Sequence, residues 1–155
     1  MRSTLVDRTR REPRRGQALV EFAVAVIPFM ILMMGVLDLG RAIYTMNGTA
    51  EAAREIARVT SVHLHAGGNP DLGSSAESQA VIATQRGLIP NLLFTPSSDI
   101  DCVDIGDNII PDDACASGDE FYIRVHVRVT FTPVTPLVGM FGNHTFDSWS
   151  RIGIP

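Results

Sequence analysis

Glu21 is the residue whose chemistry most needs explaining. It falls in RRGQALVEF, Arg14 to Phe22, just past an arginine-rich start and at the head of a long apolar run. An ionised carboxylate in hydrocarbon is costly without a partner, and such residues mark functional positions or snorkel to interfacial water. Both readings stay open from the residue alone. Cys102 and Cys115 are the only cysteines, and both follow the apolar run. In an oxidising compartment such a pair reads as a disulfide before it reads as a catalytic or metal-binding couple. It would close a loop of about 14 residues, worth about 3 kcal/mol by the chain-entropy estimate.

The remaining polar groups argue for no reaction. Asp99, Asp101, Asp104, Asp107, Asp112, Asp113 and Asp119 crowd residues 95–119. Their oxygens suit Ca²⁺, but the regular D-x-D-x-D-G frame is missing, so the expectation is an irregular, solvated acidic loop. His63 and His65 form an H-x-H pair without a Cys or carboxylate at ligand spacing. His126 and His144 read as solvated. No Ser, Thr or Cys nucleophile has a recognisable base in a motif, so no enzyme, metal site or cofactor is expected.

The elements that must position these residues follow from patterning. Residues 22–37, FAVAVIPFMILMMGVL, carry no charge, and counting from Gln17 gives 21 residues, about 30 Å of helix and enough to cross a bilayer core. Pro28 leaves the carbonyl of Val24 without its usual donor, which hints at a kink and at packing against other helices. All 13 basic residues are Arg, and six precede Gly16. A positive flank stays in the cytoplasm, so the chain after about Leu39 is expected outside. From Gln17 onward there are 7 Arg against 15 acidic residues, a surface unsuited to nucleic acid.

The helix is expected to continue as an amphipathic stalk to about Val59, with Leu39, Ile43, Met46, Ala50, Ala53 and Ala57 as its apolar stripe and bends at Gly40 or Asn47-Gly48. A Gly- and Pro-rich loop follows. Ser74 and Glu77 then form a possible capping box for a short helix ending near Gly87. From Phe121 to Phe131 apolar and polar residues alternate, a strand with one dry and one wet face that Pro133 and Pro136 end. PLVGMFG reads as a compact connection to a second, possibly antiparallel strand, HTFDSWSRIGI; residues 100–110 alternate poorly and offer only a weak third. The expected fold is α+β: a basic leader over 1–16, a transmembrane helix over 17–37, a helical stalk over 38–60, and an extracytoplasmic α+β domain with an antiparallel sheet over 61–155.

The order Arg-Arg-Gly, Gln-Ala-Leu-Val-Glu, apolar run resembles the class III (prepilin-type) signal, which a membrane aspartic peptidase cuts after the glycine on the cytoplasmic side. The resemblance implies a cut between Gly16 and Gln17, leaving Glu21 as the fifth residue of the mature chain. The new amine of Gln17 and the carboxylate of Glu21 are opposite charges in an apolar setting, and a neighbouring subunit's amine would suit Glu21. GQALVEFAVAVIPFMILMMGVLDLGRAIY, NGTAEAAREIAR and the distal VRVTFTPVTPLVGMFG resemble the TadE-like family, minor pilin or pseudopilin components of tight-adherence (Flp) pilus systems. Major Flp pilins are much shorter and usually carry Glu-Tyr where this chain has Glu21-Phe22, so a minor subunit is implied. The likeness implies a single-pass protein of the bacterial inner membrane. Its partners would be the prepilin peptidase, other pilin-like subunits and the pilus assembly machinery. A signal-anchored binding module whose acidic loop takes Ca²⁺ is the alternative.

Overall fold

The computed structural model describes residues 13–64, 71–116, 118–135, 139–140 and 142–155. Residues 1–12 of the arginine-rich leader, His65, residues 65–70 of the Gly- and Pro-rich loop, and residues 136–138 and 141 of the PLVGMFG connection lie outside these.

One helix, α1, runs from Pro13 to Val62 and spans 50 residues, about 75 Å at 1.5 Å per residue. It starts before the expected boundary at Gly16. Proline suits a first turn because its missing N–H would find no intrahelical acceptor there. Gly40 and Asn47-Gly48 do not interrupt the helix, and Pro28 lies inside it. From Gly16 to Leu37 almost every side chain is exposed, and none is buried in the core. Beyond Asp38 the same helix lies on a sheet, and Ala52, Ala53, Ile56 and Ala57 are fully buried in the core. The second half is therefore a spine of the outer domain as well as a stalk.

Its buried stripe differs from the one expected. Leu39, Ile43 and Met46 are exposed, whereas Asp38, Thr49, Ala52, Ala53, Ile56, Ala57 and Thr60 are buried. The packed face is turned by most of a right angle from the most apolar one. Small residues win it because they let a helix approach a sheet closely. Half-buried Thr45 and buried Thr49 satisfy their hydroxyls by donating to the preceding turn, Thr45 to the Arg41 carbonyl and Thr49 to the Thr45 carbonyl, both at 2.8 Å.

The sheet is antiparallel. Strand β1 spans Leu92–Leu93, β2 Ile100–Asp104, β3 Ile109–Ile110, β4 Gly118–Phe131 and β5 His144–Ile154. β4 is central: β5 pairs along its whole length on one edge, β1 and β2 share the other, and β3 follows β2. Ile123, Val125, Val127 and Val129 are fully buried beneath α1, as the period-two pattern requires. The expected antiparallel partner HTFDSWSRIGI is β5. Helix α2, Ala76–Leu88, packs on α1 with Ile82 fully buried. Its N-cap is Ser75, whose Oγ accepts from the Ser78 N–H at 3.1 Å, and not Ser74 as the capping-box spacing suggested.

Residues 95–119 are more ordered than expected. They hold a short helix α3, Pro96–Asp99, strands β2 and β3, and a 3-10 turn at Asp112–Ala114. The weak third strand expected over 100–110 is present as β2 and β3; β2 alternates poorly because adjacent Cys102 and Val103 are both fully buried, and a strand covered on both faces shows no alternation. Cys102 and Cys115 form a disulfide, with both residues buried.

Candidate functional site

Gln17, Val20, Glu21 and Val24 share one face of α1, with Gly16 beside them, and all are exposed. A Cβ added at Gly16 would meet nothing within 4 Å, so packing within the chain places no demand for glycine there. Gly16 and Gln17 lie in the opening turns of the helix, where the first N–H groups lack intrahelical acceptors and fraying is easiest. Glu21 makes no ion pair or hydrogen bond among the described residues. The carboxylate is thus presented outward, unpaired among the described residues.

A second constellation stands where the apolar run ends, and sequence reasoning missed it. Asp38, only 4% exposed, caps the loop that leaves β4. Its carboxylate accepts from the Val134 N–H at 3.2 and 3.1 Å, the Thr135 N–H at 2.8 Å and the Thr135 hydroxyl. Arg41 adds an ion pair at 3.2 Å. The Thr135 hydroxyl and then its N–H hold the Asp38 carboxyl down to about 2, against the opposing effect of burial, with Val134 and Arg41 helping. Asp38 therefore welds the helix to the β4–β5 connection one residue beyond the span. The available signal was its place in the stripe Asp38, Ala42, Thr45, Thr49, Ile56, Thr60, which has helical spacing but too little hydrophobicity to draw attention. Beside this junction a groove of about 740 Å³ runs between α1, the end of α2 and the end of β4, lined by Leu37, Tyr44, Leu88, Pro90 and Phe131.

The acidic residues are tied into the sheet. Arg124 on β4 binds Asp101 at 2.8 Å and Asp107 at 3.0 Å, and Arg128 binds the buried Asp99 at 2.8 Å. Asp99 also accepts from the Thr95 N–H at 2.6 Å. Asp104 holds the Asn108 side chain at 2.9 Å and its N–H, and these bonds lower its carboxyl from the usual value. The expectation of a solvated loop fails for these four: the wet face of β4 supplies cations to Asp99, Asp101 and Asp107, and Asn108 holds Asp104. Among the described residues no group of three or more His, Cys, Asp or Glu gathers to hold a metal. His126 is not simply solvated either. Its ring stacks on Trp149 with centroids 3.7 Å apart and planes 4° from parallel, the expected result of placing the two opposite each other on β4 and β5.

Residues 16–58 match the family described as TadE-like protein. The matched stretch runs from the glycine at the head of the span to one turn before the end of α1; the distal Val127–Gly142 stretch lies outside it. No curated protein and no solved structure matches the chain. The TadE-like match is therefore a match to the long helix alone.

Proposed function

We propose that this chain is a structural, non-enzymatic minor subunit, pilin-like or pseudopilin-like, of a tight-adherence pilus system. It inserts in the bacterial inner membrane with its N-terminus in the cytoplasm and its sheet domain outside. A prepilin peptidase cuts it between Gly16 and Gln17. The exposed half of α1 then packs among helices of the same kind, in pilus assembly, adhesion or export. The observation that carries this reading is the coincidence of the TadE-like match with a helix whose first half is apolar and exposed.

Three features support it. Ala18, Phe22, Ala25, Phe29, Leu32, Val36, Leu39, Ile43 and Met46 recur at alternating spacings of four and three, the spacing of a helix–helix seam, and Leu32, Val36, Leu39, Ile43 and Met46 are all exposed. The disulfide between Cys102 and Cys115 suits an oxidising compartment. Glu21 faces outward on the first turns, where the amine of a processed neighbour would reach it.

Intact-mass measurement of the chain co-expressed with a prepilin peptidase tests the cut. The expected product begins at Gln17, and Gly16→Ala blocks its appearance. Glu21→Ala is expected to leave cutting largely intact while impairing incorporation into the pilus. A chain that still begins upstream of Gly16, with the peptidase active on a control substrate, would overturn the processing step. Equal incorporation of Glu21→Ala and the parent would overturn the charge pairing.

A further inference from the structure

The membrane-proximal end of the sheet domain is apolar where a water-facing loop would be polar. From Val129 to Asn143 the sequence has no ionisable side chain. The described part of this connection is held at the level of the membrane exit. Thr135 and Val134 bond to Asp38, the first charged residue after the uncharged run 22–37. The Gly139 N–H donates to the Thr135 carbonyl at 2.8 Å, which brings the following Met140 to the same place. Met140 and Val134 are 82% and 76% exposed, and Tyr44, which faces the groove on α1, is 76% exposed. These are the three most exposed large apolar or aromatic side chains among the described residues. The nearest helix charges, Asp38 and Arg41, neutralise each other at 3.2 Å.

We propose that this end of the domain is a lipid-contacting foot: Val134 and Met140 enter the interfacial layer of the leaflet from which α1 emerges, with Tyr44 at the headgroup level. The inference rests on the reading of residues 17–37 as a membrane span. A bilayer is the occupant because the surface is continuous with that span. Val134 and Met140 sit where interfacial apolar residues of anchored domains sit, and tyrosine favours the same layer. Asp38 is then the fastener that holds the foot at a fixed height on the helix. The foot would in turn set how the sheet domain stands on the membrane before any assembly.

Bromolipid quenching of tryptophan reporters tests this in the full chain. The reporters are placed in a Trp149→Phe background, with the protein reconstituted in phosphatidylcholine–phosphatidylglycerol vesicles. Met140→Trp and Val134→Trp probe the foot. Phe29→Trp probes the span, and Ile105→Trp probes an equally exposed apolar site (75%) on the turn between β2 and β3. Shallow-brominated lipid is expected to quench both foot reporters at least about twofold more than Ile105→Trp. If Phe29→Trp is quenched by deep-brominated lipid while Met140→Trp and Val134→Trp match Ile105→Trp, the foot is wrong and the span stands. If Phe29→Trp is not quenched by deep-brominated lipid, the span reading fails and takes the foot with it.

Discussion

The two halves of α1 are one continuous helix with two unlike environments. From Gly16 to Leu37 the helix is mostly apolar and almost wholly exposed, with none of its residues buried by the rest of the chain. From Asp38 to Val62 it is less hydrophobic yet places Ala52, Ala53, Ile56 and Ala57 fully in the core of the sheet domain. Hydrophobicity alone therefore misjudges which half folds the protein. A uniformly apolar helix buries itself in a medium outside the chain, whereas a stripe of alanine and threonine buries itself against the chain's own sheet.

Large-to-small substitutions sharpen that contrast most. Ile56→Ala empties a fully buried site under the sheet and is expected to cost the outer domain about 2–5 kcal/mol. Ile31→Ala removes the same atoms from the exposed half and is expected to leave domain stability unchanged within about 0.5 kcal/mol. The measurement is a denaturation curve of the full chain in detergent micelles, followed by Trp149. Equal losses for the two would mean that the halves share one cooperative core, and the contrast would collapse. The next effect is covalent. Replacing both Cys102 and Cys115 by Ser is expected to cost about 3 kcal/mol, again confined to the sheet domain, with the helical signal of the span unaltered in circular dichroism.

The fold was legible where one physical rule acted alone. The length of the apolar run announced the long exposed helix, and strict alternation from Phe121 to Phe131 announced β4. It was illegible where two rules competed. The expected stripe was right at Ala53 and Ala57 and wrong at Leu39, Ile43 and Met46, because close approach to a sheet favours small residues such as Thr49 and Ala52 over larger ones. β2 is covered on both faces and shows no period. The acidic residues looked like a solvated loop because their arginine partners, Arg124 and Arg128, lie 17 to 29 residues away in sequence. Of the candidate site, Gly16 and Glu21 were readable from local order, but Asp38 was not, since its acceptor role exists only once residue 135 returns to the helix.

Asp38 stands on the border between the halves, and its titration tests whether that border is welded. The carboxyl is held at about 2 in the folded protein against an ordinary 3.8. A depressed folded value means that the ionised form stabilises the fold. Its contribution is full above about pH 4 and is lost as pH falls toward 2. Asp38→Asn keeps the shape but removes the charge, so its melting temperature is expected to lie below the parent's at neutral pH. The gap between the two should narrow as pH falls from 4 to 2. A gap independent of pH would mean that the carboxylate's charge contributes nothing to the weld. The other lowered carboxyls, Glu55 and Asp104, are common to both proteins and cancel in the difference.

The smallest effect locates the far end of the packed half. Thr60 on α1 and Ser78 on α2 lie 3.4 Å apart through their hydroxyls, and Ser78 is in turn bonded by Ser75, so the cap of α2 and the last turns of α1 form one buried cluster. Ser75→Ala removes the cap acceptor for the Ser78 N–H and is expected to cost about 1 kcal/mol. Ser74 is half-buried and donates only to the Asp71 carbonyl, so Ser74→Ala is expected to change stability by no more than about 0.5 kcal/mol. The same denaturation curves separate the two variants. If Ser74→Ala were the costlier, the helix would start where the Ser-x-x-Glu spacing put it, and the contact tying α2 to α1 would lack its anchor. With Ser75 as the cap, the packed half of α1 is held at both ends by polar groups, Asp38 at the membrane side and Thr60 at the far side, and by alanines between them. The exposed half has no such fastenings, and that leaves it free to be gripped from outside.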